Sequence, residues 1–337
     1  MELIKHIKNI YRTIYLYTTF LFFKNLEVFI RVKNIQKFKL IISKLDGVGD
    51  FILSYPMLLI ELKNYQNGDV LFIINKSNQE IFKYLFKDNY QSICLDFKNY
   101  TFLNAFEIYK KLYNLYTTKY ISLDLSRTYK SSDILGILIN CDSYFCFKDP
   151  SVTIRNSYYI CLRMRQVILN NNLEFDIDTY SNFVNYKIED YVNLYPSGKD
   201  LINSKLTNEN YAIINLSCSK DPNFISLKTI PKTLFSSVDK ILVLCYPYHK
   251  ISFENQLFIN NNHNFHLVNE RKFNNILDLI LNSKLLITPD SGFAHFNYFF
   301  NDKKTIIYHD NNKTFNRFLK YYISKDKVEL INKNYLP

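Results

Sequence analysis

Short apolar runs of strand type alternate with longer helical stretches along most of the chain, and few folds accept that pattern. In a first series the runs fall at residues 40–43, 70–74, 92–95, 121–125 and 144–147, with helical patterns at 51–63, 78–86 and 102–116. A short run that is apolar throughout has both faces covered, as in a parallel sheet held between layers of helices. A second series follows at 212–216, 241–245, 266–268, 285–288 and 305–308, with a helical pattern at 273–281. Between the two lies a less regular stretch, 148–208, rich in Asn, Asp and Tyr and carrying Pro196, Ser197 and Gly198. The expectation is two doubly wound α/β domains, 39–200 and 201–337, behind an extension of residues 1–38. Ligands of such sheets bind outside the carboxyl ends of the strands, so a two-domain chain is expected to use a central cleft.

A hydrophobic content of 47% over 337 residues excludes a disordered chain and leaves ample length for a core. Cys94, Cys141, Cys146, Cys161, Cys218 and Cys245 form no CxxC pair and read as reduced, buried thiols of a cytosolic protein. The net charge is +11, but it is unevenly spread. The first 39 residues hold eight Lys or Arg against Glu2 and Glu27, a local excess of +6. No basic stripe on a folded pattern and no recognisable module points to nucleic acid.

Within that extension Ile4, Ile7, Tyr11, Ile14 and Leu21 recur at helical spacing, with Lys5, Lys8 and Arg12 mostly off the stripe. Such an amphipathic helix docks either on the protein's own surface or peripherally on an anionic membrane surface. Its most apolar part, residues 13–23, is shorter than the roughly 20 residues a membrane span needs. No small-residue cleavage site follows it.

Only six glycines serve the whole chain, and three of them mark two loops. The first loop, residues 44–56 (KLDGVGDFILSYP), follows the first strand. There Gly47 and Gly49 are expected to let the chain turn tightly, Asp50 to open an apolar helix, and Pro56 to bend it. Asp50 reads either as a helix N-cap or as a general base at the mouth of the cleft. The second loop, residues 285–295 (LLITPDSGFAH), runs from a buried strand through Asp290, Ser291 and Gly292 into a helix carrying His295 one turn on. Asp290 is the expected N-cap. Free backbone N–H groups and the positive end of the helix dipole make such a turn an anion site, with phosphate the obvious guest.

Gly49, Asp50 and Pro56 after an N-terminal strand, with Asp290-Ser291-Gly292 and His295 near the C-terminus, resemble the family-nine glycosyltransferases, the lipopolysaccharide heptosyltransferase family. The resemblance spans about residues 39–310, and its specific part is the two loops. It implies a GT-B fold, two Rossmann-like domains facing a central cleft, and inverting transfer from a nucleotide-sugar donor without metal or cofactor. The donor it suggests is ADP-heptose. The acceptor would be a lipopolysaccharide core or a related anionic glycolipid or oligosaccharide, with the enzyme in the cytoplasm, peripheral on the inner membrane. Asp50 matches the family's proposed base, and Asp290, Ser291, Gly292 and His295 match its donor-diphosphate stretch.

The family's phosphate lysine is best matched by Lys228, with Lys220 as competitor; Ser217 and Ser219 could donate to the same group. Ser126, Arg127 and Lys130 fall where the family has its acceptor-side loop, which makes Arg127 and Lys130 acceptor-binding candidates. The chain departs from the family at Phe293, where Pro, Met or Leu is common, and at His309-Asp310, where a glycine loop is usual. Two other readings fit the same residues: a GT-B-shaped sugar-nucleotide epimerase, and a non-catalytic nucleotide-sugar or glycan-binding protein.

Overall fold

The computed structural model describes residues 18–19, 22–23, 35–45, 47–96, 102–122, 135, 138–146, 201, 210–218, 221–248, 250–301, 303–309 and 327–332. The chain divides into two compact units, Met1–Tyr186 and Lys187–Pro337. The interdomain boundary expected near residues 196–200 lies outside the described residues.

Among those residues, the first unit holds strands β1 (Gln36–Lys44), β2 (Val70–Asn75), β3 (Gln91–Leu95), β4 (Leu115–Ser122) and β5 (Asn140–Cys146). They form one sheet in the order β3-β2-β1-β4-β5, every neighbouring pair parallel. Helices α1 (Val48–Leu62), α2 (Gln79–Phe86) and α3 (Phe102–Leu112) accompany it. Strand β2 is apolar up to its last residue because both faces are covered. On one side of β2, Phe72 packs against Phe82 and Phe86, with ring centroids 4.9 and 5.3 Å away, and both rings belong to α2. Leu71 and Ile73 alternate to the opposite side, in a cluster with Ile41, Leu115, Tyr109 and Leu112. Phe23 joins this second cluster and stacks on Tyr109 of α3 at 5.2 Å, whereas Phe22 is exposed. The extension therefore docks on its own unit at Phe23; most of it lies outside the described residues.

Two expectations need correcting here. The helical pattern at 102–116 ends at Leu112, and the strand expected at 121–125 is instead β4, six residues earlier at its start. Polar residues hid it. Thr117 is fully buried with its hydroxyl donating to the Lys119 carbonyl, and the Lys119 ammonium meets Glu61 of α1 at 2.7 Å, so both are satisfied inside a central strand.

The second unit's described strands are β6 (Tyr211–Asn215), β7 (Lys240–Leu244), β8 (Phe265–Leu267), β9 (Leu285–Pro289), β10 (Lys304–His309) and β11 (Val328–Asn332). Their order, β11-β10-β9-β6-β7-β8, is the doubly wound 3-2-1-4-5-6 arrangement read from β8, again all parallel. Helices α4 (Phe253–Asn260), α5 (Phe273–Asn282) and α6 (Gly292–Phe300) complete it. Strand β11 and helix α4 were not foreseen. β11 is a half-buried edge strand, and α4 is a short helix fixed by the Ser252 hydroxyl, which accepts from the Asn255 amide, rather than by an apolar stripe.

No described glycine has positive φ; Lys87 and Asp88, at φ 50° and 55°, take the left-handed conformations instead. The expected conformational need at Gly47 is overturned: its φ is −71°, and an added Cβ would meet only Asp50 Oδ2, at 3.6 Å. Of the cysteines with described surroundings, Cys141 and Cys245 are buried free thiols as expected, but Cys94 and Cys218 are only half-buried.

Burial leaves a pH signature in each unit. Loss of hydration, aided by neighbouring Tyr90, raises Tyr55 to about 12. Loss of hydration and then the Glu329 carboxylate likewise raise Tyr308 to about 12, and its hydroxyl has no hydrogen-bond partner among the described residues. A raised folded pKa means the neutral form is the one the fold favours. The contribution is complete below pH 10 and is lost as pH climbs from 10 through 12, by of order 2 kcal/mol per tyrosine. Alkaline titration at 295 nm should show the last tyrosinates forming together with loss of far-UV circular dichroism, and Tyr308→Phe should delay that step.

Candidate active site

In an open parallel sheet, the crevice for a ligand opens where strand order reverses, outside the carboxyl ends of the strands. Those points are β1/β4 in the first unit and β6/β9 in the second. Each of the two loops singled out in the sequence follows one of these four strands.

In the first unit, β1 ends at Lys44, and Gly47 is the N-cap of α1. Asp50 is thus the third helical residue and not the cap, which removes the capping reading for it. Glycine supplies no side-chain cap, and Asp50 stands as the acidic group of the first turn, where the helix dipole favours a carboxylate. It is half-buried, and its Oδ2 lies over Gly47. The helix runs on through Pro56 to Leu62 and is anchored by its apolar face, where Phe51, Ile52 and Leu58 are fully buried. At its far end the Glu61–Lys119 pair ties it to β4. Asp50 is thereby carried on a rigid element beside the switch point.

In the second unit, the N-cap of α6 is Ser291, not Asp290. Ser291 makes no side-chain capping bond; its hydroxyl lies 2.9 Å from Thr288 Oγ1. The Ala294 amide donates to the Ser291 carbonyl at 3.1 Å, and no acceptor for the Gly292 or Phe293 amides is found among the described residues. Asp290, Ser291 and Gly292 are half-buried, while His295 is 4% exposed. Behind α6, Asn297 donates to Thr305 of β10 at 2.8 Å, and Asn301 donates to Asn297 and to the Ile280 carbonyl of α5. These buried bonds fix the helix axially.

Sequence reasoning missed two residues next to this turn. Asn215 closes β6 and Thr288 lies near the end of β9; both are buried, and the Asn215 amide donates to Thr288 Oγ1 at 3.3 Å and to the Ser217 carbonyl at 2.9 Å. Their signal was present as a polar residue at the carboxyl end of an otherwise apolar strand. Ser217 is buried too, with its hydroxyl directed at the Tyr246 carbonyl and Asn215 Oδ1.

Phe293 does not face the turn. Its ring is 6% exposed and packs with Phe273 of α5 at 5.9 Å and Tyr246 at 5.7 Å. Lys228 is exposed on the 3-10 turn Leu227–Thr229, between the buried Leu227 and Ile230. Ser126, Arg127, Lys130, Ser219 and Lys220 lie outside the described residues.

No family model and no curated protein matches the sequence. Solved structures do. The E. coli heptosyltransferase WaaC with ADP superposes at TM-score 0.55 and 11% identity, over 88% of this chain and 93% of that one. The same protein with ADP-2-deoxy-2-fluoro heptose gives 0.54 and 10% over the same shares. A family 9 glycosyl transferase from Veillonella parvula gives 0.51 and 15%, over 89% and 88%. The fold is that of the GT-B glycosyltransferases. At these identities it is the architecture that is shared. Among the described residues, no helix is long and apolar enough to cross a membrane.

Proposed function

We propose that the chain is an inverting, metal-independent glycosyltransferase that moves a heptose from ADP-heptose onto a lipopolysaccharide core or related surface glycan. The observation that carries this reading is the placement of the two loops. A carboxylate opens the helix after the first switch-point strand of one unit, and a helix with uncapped amides opens after a switch-point strand of the other. Asp50 takes the proton of an acceptor hydroxyl as its oxygen attacks the anomeric carbon. The bond from that carbon to the diphosphate breaks on the opposite side, which inverts the configuration. Charge then grows on the leaving nucleotide diphosphate, where the Gly292 and Phe293 amides and the α6 dipole receive it. Lys228, exposed and mobile on its stem, adds a point cation.

A thermal-shift screen of ADP- and UDP-linked sugars tests the donor assignment. A ligand present at a hundred times its Kd stabilises the native state by about 2.7 kcal/mol, so ADP-heptose should raise Tm by roughly 5 °C or more. Absence of any shift with ADP-linked sugars rejects that donor. Chemical conversion of the donor with no acceptor present rejects transfer in favour of epimerisation.

A further inference from the structure

A serine at a helix N-cap ordinarily turns its oxygen onto the second or third amide of its own helix. Ser291 does not, and the reason lies in two buried strand residues. Asn215 stands beside Thr288 because β6 and β9 run parallel with Ile214 opposite Ile287. A carboxamide nitrogen can only donate, so the Asn215 bond at 3.3 Å occupies an acceptor site on Thr288 Oγ1. The Asn215 orientation is fixed in turn: its nitrogen also donates to the Ser217 carbonyl, and its oxygen accepts from the Ser217 hydroxyl at 3.3 Å. Thr288 is fully exposed to none of the solvent, and Ser291 Oγ is 2.9 Å from its hydroxyl.

We propose that Asn215 and Thr288 are positioning residues for the diphosphate of the donor, acting through Ser291. The Asn215 amide donates to Thr288, and we take the Thr288 hydroxyl to pass its own hydrogen to Ser291 Oγ, 2.9 Å away. Two consequences follow for the ligand. Ser291 is held away from the capping position, so the Gly292 and Phe293 amides stay available to an anion. Its own hydrogen, not needed by Thr288, is presented outward as a further donor, and the chain of bonds strengthens it. This deepens the assignment of residues 290–292 to a diphosphate and rests on it.

Inorganic pyrophosphate, which carries no base or sugar, is the probe, followed by 31P NMR titration of the full chain. Thr288→Val keeps the shape and removes the hydroxyl; it should weaken pyrophosphate binding about tenfold, the scale of one hydrogen bond to a charged group. Thr288→Ser should restore binding to within about twofold. Because Thr288 acts through Ser291, the double variant Thr288→Val/Ser291→Ala should bind no more weakly than Ser291→Ala alone, a non-additivity that general loosening of the fold does not produce. Wild-type affinity in Thr288→Val overturns the proposal, as do losses that multiply in the double variant. A wild-type protein that gives no titration overturns the diphosphate reading itself, an outcome separate from these because every variant would then be silent as well.

Discussion

Asp50→Asn lowers the rate of sugar transfer by roughly 10²- to 10⁴-fold, the range a positioned general base contributes, while the donor's Kd stays near that of the wild type. The expectation follows from where the residue sits. It is the third residue of α1, half-buried, on a helix pinned by Phe51, Ile52 and Leu58 and by the Glu61–Lys119 pair. The structural contribution that the helix dipole makes at such a site is about 0.3–1 kcal/mol. The rate loss corresponds to about 3–5 kcal/mol of transition-state free energy, so the chemical effect exceeds the structural one several-fold. Denaturation midpoints within a few degrees of wild type, together with the lost turnover, separate a catalytic carboxylate from a helix stabiliser. Single-turnover transfer at the wild-type rate in Asp50→Asn removes the base assignment.

The architecture was legible because the strands of a parallel sheet between helices must be apolar on both faces. Nine of the strands follow the expected runs to within two residues at most ends, and their parallel pairing is what alternation of strand and helix predicts. Legibility failed where polar atoms are satisfied internally. β4 carries Thr117 and Lys119, each with a partner, and reads as the tail of a helix. β11 is an edge strand with every residue half-buried, so its alternation is faint.

The candidate site was legible to a different depth. Asp50 and Asp290 were identifiable by type and spacing, but their helical positions were not, since each was displaced from the expected cap, by Gly47 in one case and by Ser291 in the other. Asn215 and Thr288 were invisible as functional residues. A polar residue ending an apolar strand has no meaning until the register places it beside another one, and register belongs to the fold.

Phe293→Ala costs about 3–5 kcal/mol, a large part of the 5–15 kcal/mol that holds a typical domain together. The ring closes a three-way contact in which Tyr246 and Phe273 are themselves 5.6 Å apart, and 6% of Phe293 is exposed. Tyr246 follows β7, Phe273 begins α5 and Phe293 lies in the first turn of α6, so this contact joins three segments at one end of the sheet. Its departure from the family pattern is therefore accounted for by packing, not by the donor. Phe293→Leu, which retains most of the volume, should lose only about 1 kcal/mol. The decisive measurement pairs urea denaturation with the ratio of affinities for ADP- and UDP-linked sugars. Packing predicts that stability falls in the order wild type, Leu, Ala while the ratio stays constant. A ratio that changes in Phe293→Leu with an unmoved denaturation midpoint would place the ring against the nucleotide. The geometry speaks against that, because Phe293 is only 6% exposed, with its ring packed on Phe273 and Tyr246.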